Sequence, residues 1–148
     1  FGILVSEWNS EVTERLYEGA YQCLIEHGAK PGRIVVHTVP GSFELSLAAR
    51  WLADGNANGY PIDAVICLGC IIQGETPHFD FVAQATAEGI MRVNLRTQKP
   101  IVFGVLTTYN LKQALDRAGG KHGNKGIEAA ITAIKMLGLR EQIYKVKL

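Results

Sequence analysis

Several features that define large protein classes are missing from this sequence. Its 15 lysines and arginines nearly balance 14 aspartates and glutamates, and the formal net charge is +1. Such a balance gives no electrostatic reason to expect a nucleic-acid or membrane partner. No apolar run approaches the roughly 20 residues that span a bilayer. Repeats and low-complexity tracts are also absent, so the 148 residues (1–148) are expected to form a single globular domain.

Cysteine is scarce, and its placement predicts structural thiols. Cys23, Cys67 and Cys70 cannot all pair within one chain, which favours a reducing, cytoplasmic compartment. The C-x-x-C spacing of Cys67 and Cys70 ends an apolar strand instead of opening a helix, and no second pair completes a zinc site. We therefore expect no metal. Because the sequence begins at Phe1 without methionine, we also expect a missing N-terminal segment, in which an organelle address could lie.

Short apolar runs alternate with helical patterns along the chain. The predicted strands are Ile3–Val5, Ile34–Val39, Ala64–Leu68 and Ile101–Leu106. Five helical patterns are present. The first ends at Gly28, the second starts near Ser42, and the third starts with Thr76 as its cap and Pro77 in its first position. The fourth runs from Asn110 to Gly119-Gly120, and the fifth covers Ile127 to Leu137. Asp54–Pro61 is predicted to be a surface loop. The alternation predicts an α/β fold, a three-layer sandwich with a four-stranded parallel sheet flanked by helices on both faces.

Chemically versatile residues follow the predicted strands. Ligands of such sheets bind beyond the carboxyl ends of the strands, where Trp8, Phe43, Glu44 and His78 lie. Two aromatic faces, a strong acceptor and a group that transfers protons near neutral pH suit a planar, hydroxyl-bearing heterocycle. Each residue also has a simpler explanation: the aromatics as core, and Glu44 as a complement to a helix dipole. The helix start beside His78 attracts anions.

A glycine-rich segment from Gly119 to Gly126 follows Arg117 and contains two lysines. It lacks the Walker A order of glycines, lysine and hydroxyl, so nucleoside triphosphates are not expected. Arg117 either offsets a helix dipole or, with the lysines, holds a phosphate. The residues alone leave these two interpretations open.

Five stretches together resemble the lumazine synthase family: Ser6–Asn9, Val39–Glu44, Leu68–Asp80, Val102–Thr108 and Gln113–Ala130. The resemblance implies a flavodoxin-like strand order. It also implies that 5-amino-6-(D-ribitylamino)uracil is condensed with 3,4-dihydroxy-2-butanone 4-phosphate in riboflavin biosynthesis. Phosphate and water are released, without cofactor or metal. Family members assemble at least as pentamers, with active sites between subunits, and the short 118–126 connection favours icosahedral shells.

The resemblance also assigns roles to individual residues. It implies that His78 transfers protons and that Trp8 stacks on the pyrimidine. The implied substrate-binding set further contains Ser42, Phe43 and Glu44 at the ribityl chain and ring, Cys70, Ile71 and Ile72 as a backbone edge that reads the pyrimidine, Glu75, Thr76 and Arg117 around the phosphate, Phe103 from a neighbouring subunit, and Lys125 facing the ligand. Gln73 departs from the family pattern, because a basic residue is usual there.

Two alternatives remain open. A flavin-binding electron carrier shares the sheet topology, and Trp8 offers a face for an isoalloxazine, although the Ser6–Ser10 loop lacks the hydroxyls and glycine of a flavin-phosphate cradle. A shell-forming protein without synthase activity would share the fold and the assembly. Reduction with dithionite and a search for tight, stoichiometric flavin would identify the electron carrier, and an assay of the condensation separates the synthase from the inactive shell protein.

Overall fold

The computed structural model describes residues 1–145 and contains a four-stranded, all-parallel sheet. Its strands are β1 (Gly2–Ser6), β2 (Val35–Val39), β3 (Val65–Ile72) and β4 (Ile101–Thr108). They lie in the order β2-β1-β3-β4, and Val5 of β1 pairs with Thr38 of β2 and Leu68 of β3. This order confirms the predicted parallel sheet and its flavodoxin-like arrangement.

Helices cover both faces of the sheet. They are α1 (Ser10–Glu26), α2 (Leu45–Ala53), α3 (His78–Thr97), α4 (Leu111–Asp116) and α5 (Lys125–Lys145). Side chains of α1, α4 and α5 pack with the sheet in one core cluster, and those of α2 and α3 pack in the other. The three layers follow from this division, because each strand face contributes alternate residues to a different cluster.

The strands extend further than the apolar runs predict. β3 continues to Ile72 and β4 to Thr108, beyond the expected ends at 68 and 106. All eight residues of β3 pair with the eight residues of β4, from Val65 with Ile101 to Ile72 with Thr108. Glycine and threonine weaken the apolar pattern at these ends, yet the backbone pairing goes on. The extension carries β3 past the end of its pairing with β1, which stops at Val5 and Leu68.

The predicted loop 54–61 contains a small antiparallel ladder, Asn56–Ala57 with Tyr60–Pro61. Asn58 and Gly59 turn the chain with φ angles of 49° and 84°. Asn-Gly is a strong signal for such a two-residue hairpin turn, so the sequence did contain the information. A second ladder joins Ala118–Gly120 to Gly123–Asn124, and α4 correspondingly ends at Asp116 instead of reaching Gly119-Gly120.

Two helix starts differ in how their backbone amides are satisfied. At α4 the Asn110 side chain accepts a hydrogen bond from the Gln113 amide at 2.9 Å, and Gln113 Oε1 accepts one from the Tyr109 amide, an arrangement close to a capping box. At α3 the predicted cap is wrong. Pro77 itself occupies the cap position, the helix begins at His78, and no side-chain hydrogen bond caps it within residues 1–145.

Candidate active site

A cleft of about 650 Å³ opens at the carboxyl edge of the sheet, above the ends of β1 and β3. Eight of the predicted site residues line it: Trp8, Phe43, Glu44, Cys70, Ile71, Ile72, Thr76 and His78. The other lining residues are Asn9, Gly41, Gly74, Phe79, Phe81 and Val82. The segments that leave β1, β2 and β3 therefore converge, as expected for ligand sites of open parallel sheets.

Trp8 stands at the mouth of the cleft and does not fill the core, because 73% of the residue is exposed. Its indole lies close to Gly41 and to the Glu44 carboxylate. A β-carbon on Gly41 would lie 3.4 Å from Trp8 Cδ1 and 3.1 Å from Glu44 Oε2. Gly41 thus leaves room for an aromatic face and an acceptor side by side. A flat ring bearing hydroxyl groups fits that pair.

His78 is the first residue of α3 and is exposed to the cleft. The first amides of a helix lack intrahelical partners, and the residues Gly74 and Thr76, which precede α3, line the cleft. The helix start is therefore a place where an anion is stabilised. A proton-transfer group and an anion site lie within one turn of each other.

Ser42 and Glu75 lie outside the wall of the cleft. Ser42 is buried, and its hydroxyl has no hydrogen-bond partner within residues 1–145. That oxygen packs onto Gly69, where a β-carbon would lie only 2.4 Å from it. Ser42 therefore packs directly against β3 in this chain. Glu75 is exposed in the connection before α3.

Two of the thiols belong to β3, where they lie on opposite faces of the sheet, and burial favours their protonated form. Burial raises the pKa of Cys67 to about 12 and that of Cys70 to about 11. All three cysteines are free and buried. This burial supports the structural interpretation of the C-x-x-C spacing, because protonated thiols are poor nucleophiles and poor metal ligands. Within residues 1–145 no group of three or more histidine, cysteine, aspartate or glutamate side chains is placed to hold a metal ion.

Arg117 and Lys125 do not line the cleft and instead share one carboxylate. Arg117 donates to both oxygens of Glu128, at 2.8 Å from Nη1 and 2.9 Å from Nη2, and Nη1 also donates to the His122 carbonyl. Lys125 Nζ lies 3.5 Å from Glu128 Oε2. The bonds from Arg117 hold the pKa of the Glu128 carboxyl below its usual range and raise the pKa of the guanidinium. Arg117 and Lys125 thus form a cluster of positive charge around Glu128, outside the cleft.

Phe103 is also absent from the cleft wall. It lies on β4 opposite Cys67 and packs, half-buried, against the core cluster of α2 and α3. The chain therefore divides the thirteen predicted residues into a cleft set and a remote set of Phe103, Arg117 and Lys125. Ser42 and Glu75 belong to neither set, but each is adjacent in sequence to a residue of the cleft set, Phe43 and Thr76.

Asn9 and the phenylalanines of α3 are lining residues that the sequence analysis did not select. Asn9 lies inside the Ser6–Asn9 motif, next to the selected Trp8. Phe81 lies in the first turn of α3 and is 71% exposed. Its exposure gives the cleft another apolar face. In the described residues, no helix is long and apolar enough to cross a membrane.

A parallel α/β sheet with histidine, carboxylate and aromatic side chains at its carboxyl edge defines an enzyme-like fold with a small-molecule cleft. A sequence model of the 6,7-dimethyl-8-ribityllumazine synthase family matches residues 1–141. The 6,7-dimethyl-8-ribityllumazine synthase of Cytophaga hutchinsonii is 62% identical over 137 residues, which are 93% of this chain and 84% of the relative. The enzyme of that name from Phocaeicola vulgatus is 49% identical over 100% of this chain and 86% of the relative. The one from Bacteroides fragilis is 50% identical over 93% of this chain and 93% of the relative.

The chain belongs to the 6,7-dimethyl-8-ribityllumazine synthase family. It is accordingly an enzyme, a transferase of riboflavin biosynthesis, as the resemblance implied. Membership implies small-molecule substrates and an oligomeric assembly.

Proposed function

We propose that the cleft at Trp8, Glu44 and His78 is where this chain joins 5-amino-6-(D-ribitylamino)uracil to 3,4-dihydroxy-2-butanone 4-phosphate. The observation that carries the proposal is the convergence of these three side chains with the uncapped start of α3. Trp8 stacks on the pyrimidine, and Glu44 accepts hydrogen bonds from ribityl hydroxyls. Phe43 contacts the ring, and the backbone of 70–72 reads its polar edge.

The chemistry follows from these placements. The 5-amino nitrogen attacks the ketone carbon, and the resulting carbinolamine loses water to give an imine. Loss of the C3 proton and of phosphate from C4 of the butanone unit then gives an enol, which tautomerises to a ketone at C3. Attack of the ribitylamino nitrogen on this new carbonyl closes the ring with loss of a second water. Each step moves a proton, and His78 at the end of the cleft serves as donor and acceptor in turn. General acid–base catalysis of this kind contributes roughly 10²–10⁴-fold.

Much of the remaining acceleration comes from holding two substrates side by side. The α3 start, with Thr76 and Glu75, binds the phosphate of one substrate near His78. Arg117 supplies a guanidinium for the same phosphate, and Lys125 faces the ligand. No cofactor takes part in the proposed reaction, since condensation and elimination need only proton transfer.

We propose that the working site lies between subunits of a homo-oligomer, at least a pentamer. The absence of Phe103, Arg117 and Lys125 from the chain's own cleft supports this, because a neighbouring subunit is a source of the missing groups. Three free, buried thiols suit a reducing location, which we propose to be the cytoplasm.

The direct test mixes the two substrates with the purified protein and follows lumazine fluorescence together with phosphate release. We expect one phosphate for each lumazine, and no signal when either substrate is omitted. A protein that binds flavin tightly or forms a shell, yet releases no phosphate from the mixture, would contradict the proposal.

A second test addresses the subunit boundary. The variants His78→Ala and Arg117→Ala are co-assembled in equal amounts and assayed at low butanone phosphate. If each site takes His78 from one subunit and Arg117 from the next, about a quarter of all sites in the mixed assemblies contain both groups. Activity that stays at the sum of the two separate variants would place both groups in the same chain's site.

A further inference from the structure

We propose that Asn9 is a positioning residue that fixes the spacing between the Trp8 indole and the end of β3, and so controls pyrimidine binding. The proposal rests on the proposed function, since it takes the pyrimidine to lie against Trp8. Asn9 lines the cleft and is half-buried directly after the indole.

Asn9 has an unusual backbone for its place in the fold. It precedes α1 as the cap residue, where an extended conformation is typical, but its φ and ψ are 59° and 46°. This left-handed region costs energy for most residues and is tolerated best by glycine, asparagine and aspartate. The turn sends the chain from β1 into α1 within four residues and leaves Trp8 projecting over the cleft.

The Asn9 side chain does not perform the usual work of a cap. It makes no hydrogen bond to the first turn of α1. Its Nδ2 instead donates to the carbonyl oxygen of Cys70 at 2.9 Å, across 61 residues of sequence. Helix capping therefore does not explain the asparagine, whereas its left-handed backbone and its contact with β3 do.

The position of Cys70 shows what this bond controls. The pairing of β1 with β3 ends at Val5 and Leu68, while β3 continues to Ile72 against β4 alone. The edge of β3 that faces β1 is thus without a strand partner at Cys70, and the Asn9 amide satisfies its carbonyl. Ile71 and Ile72, the next residues of β3, line the cleft. One hydrogen bond therefore ties the residue beside the indole to the strand end that faces it.

The chain contains a matched control for this arrangement. Asn58 is also left-handed, with φ of 49°, and its Nδ2 donates to the Gly32 carbonyl at 2.8 Å. It lies in the small hairpin of residues 56–61 and does not line the cleft. Asparagine-to-glycine substitutions at the two positions remove the same kind of bond and keep the same backbone.

The test measures the steady-state KM of each substrate for Asn9→Gly, Asn9→Asp, Asn58→Gly and Trp8→Ala. Loss of one such hydrogen bond is expected to raise the KM of the pyrimidine ~5- to 10-fold in both Asn9 variants. Glycine tolerates the turn, and aspartate keeps the side-chain shape but lacks the donor. The KM of butanone phosphate is expected to stay within about twofold. Asn58→Gly is expected to leave both constants unchanged.

Different results separate the inference from the function on which it rests. If Trp8→Ala raises the pyrimidine KM while both Asn9 variants leave it unchanged, stacking stands and the positioning role of Asn9 is overturned. Equal rises for both substrates in Asn9→Gly would also overturn it, since they indicate general damage to the site. If even Trp8→Ala leaves the pyrimidine KM unchanged, the proposed placement of the pyrimidine fails and the inference with it.

Discussion

At the cleft, Trp8 and Phe81 are 73% and 71% exposed, and the first amides of α3 have no side-chain cap among the described residues. At the cation cluster, defined by Arg117, Lys125 and Glu128, the charged groups already bond to one another. The cleft thus presents unused apolar faces and donors, whereas the cluster presents a prearranged guanidinium. A guanidinium has five N–H donors, and among residues 1–145 the bonds of Arg117 to Glu128 and His122 use three of them, from Nη1 and Nη2.

The difference indicates a division of labour. An open cleft accommodates a ring that arrives and leaves, and its exposed aromatics lose water when the ring stacks. A fixed guanidinium loses little side-chain freedom when it binds phosphate, because the bidentate pair has already ordered it. If so, the two regions act on different substrates, and the cluster is the more rigid of the two.

The largest effect is expected from His78→Ala. Removal of the proton-transfer group should lower kcat by roughly 10²–10⁴-fold and leave the KM values of both substrates largely unchanged. His37→Ala, on β2 and outside this cleft, is the control. Substrate binding measured separately completes the test. A folded variant that binds both substrates but shows no turnover would mean that holding the substrates side by side contributes little to the rate.

The next largest effect concerns the rigidity of the cluster. Gly126 follows Lys125 at the start of α5, and a β-carbon there would lie 1.9 Å from the Leu16 carbonyl oxygen of α1. Gly126→Ala is therefore expected to lower the free energy of unfolding by about 3 kcal/mol, as measured by urea unfolding at fixed protein concentration.

Gly138 is the matched control on the same helix, because a β-carbon there meets nothing within 4 Å. Gly138→Ala should stabilise the protein by about 0.5–1 kcal/mol through the better helix propensity of alanine. Gly74, in the cleft, is equally open, and its substitution should change stability by less than about 0.5 kcal/mol. Similar losses at Gly126 and Gly74 would remove the contrast between the regions.

Arg117→Ala tests which substrate the cluster serves. Loss of a charge-assisted bond to phosphate should raise the KM of butanone phosphate by about 10- to 100-fold. The pyrimidine KM should change by less than about twofold. Arg140→Ala, which removes a guanidinium paired with Asp63 at 3.5 Å, is the control. Equal rises for both substrates would argue against a phosphate role for Arg117.

The sequence predicted the sheet well because parallel strands are apolar on both faces, and Val65–Leu68 and Ile101–Leu106 show this directly. It also predicted most of the cleft, since loops after such strands meet at one edge. The Arg117–Glu128 pair was not predicted, because the intervening ladder brings together residues that no helical spacing relates. The burial of Ser42 depends on the close packing at Gly69, which only tertiary structure reveals.

The smallest effect is the pH dependence of the cluster. The Arg117 bonds hold the pKa of Glu128 below its unfolded value, so their stabilisation is present above that unfolded value and is lost as pH falls through the folded one. Both groups are partly exposed, so the effect should not exceed about 1 kcal/mol. Unfolding measured from pH 7 to acid should show Glu128→Gln less stable at neutrality and equal to the parent in acid. Glu141→Gln removes a 3.8 Å surface pair with Lys145 and is the control. Its free energy of unfolding should match that of the parent at every pH. A Glu128→Gln deficit that grew as pH fell would mean that Arg117 is ordered by something other than this carboxylate.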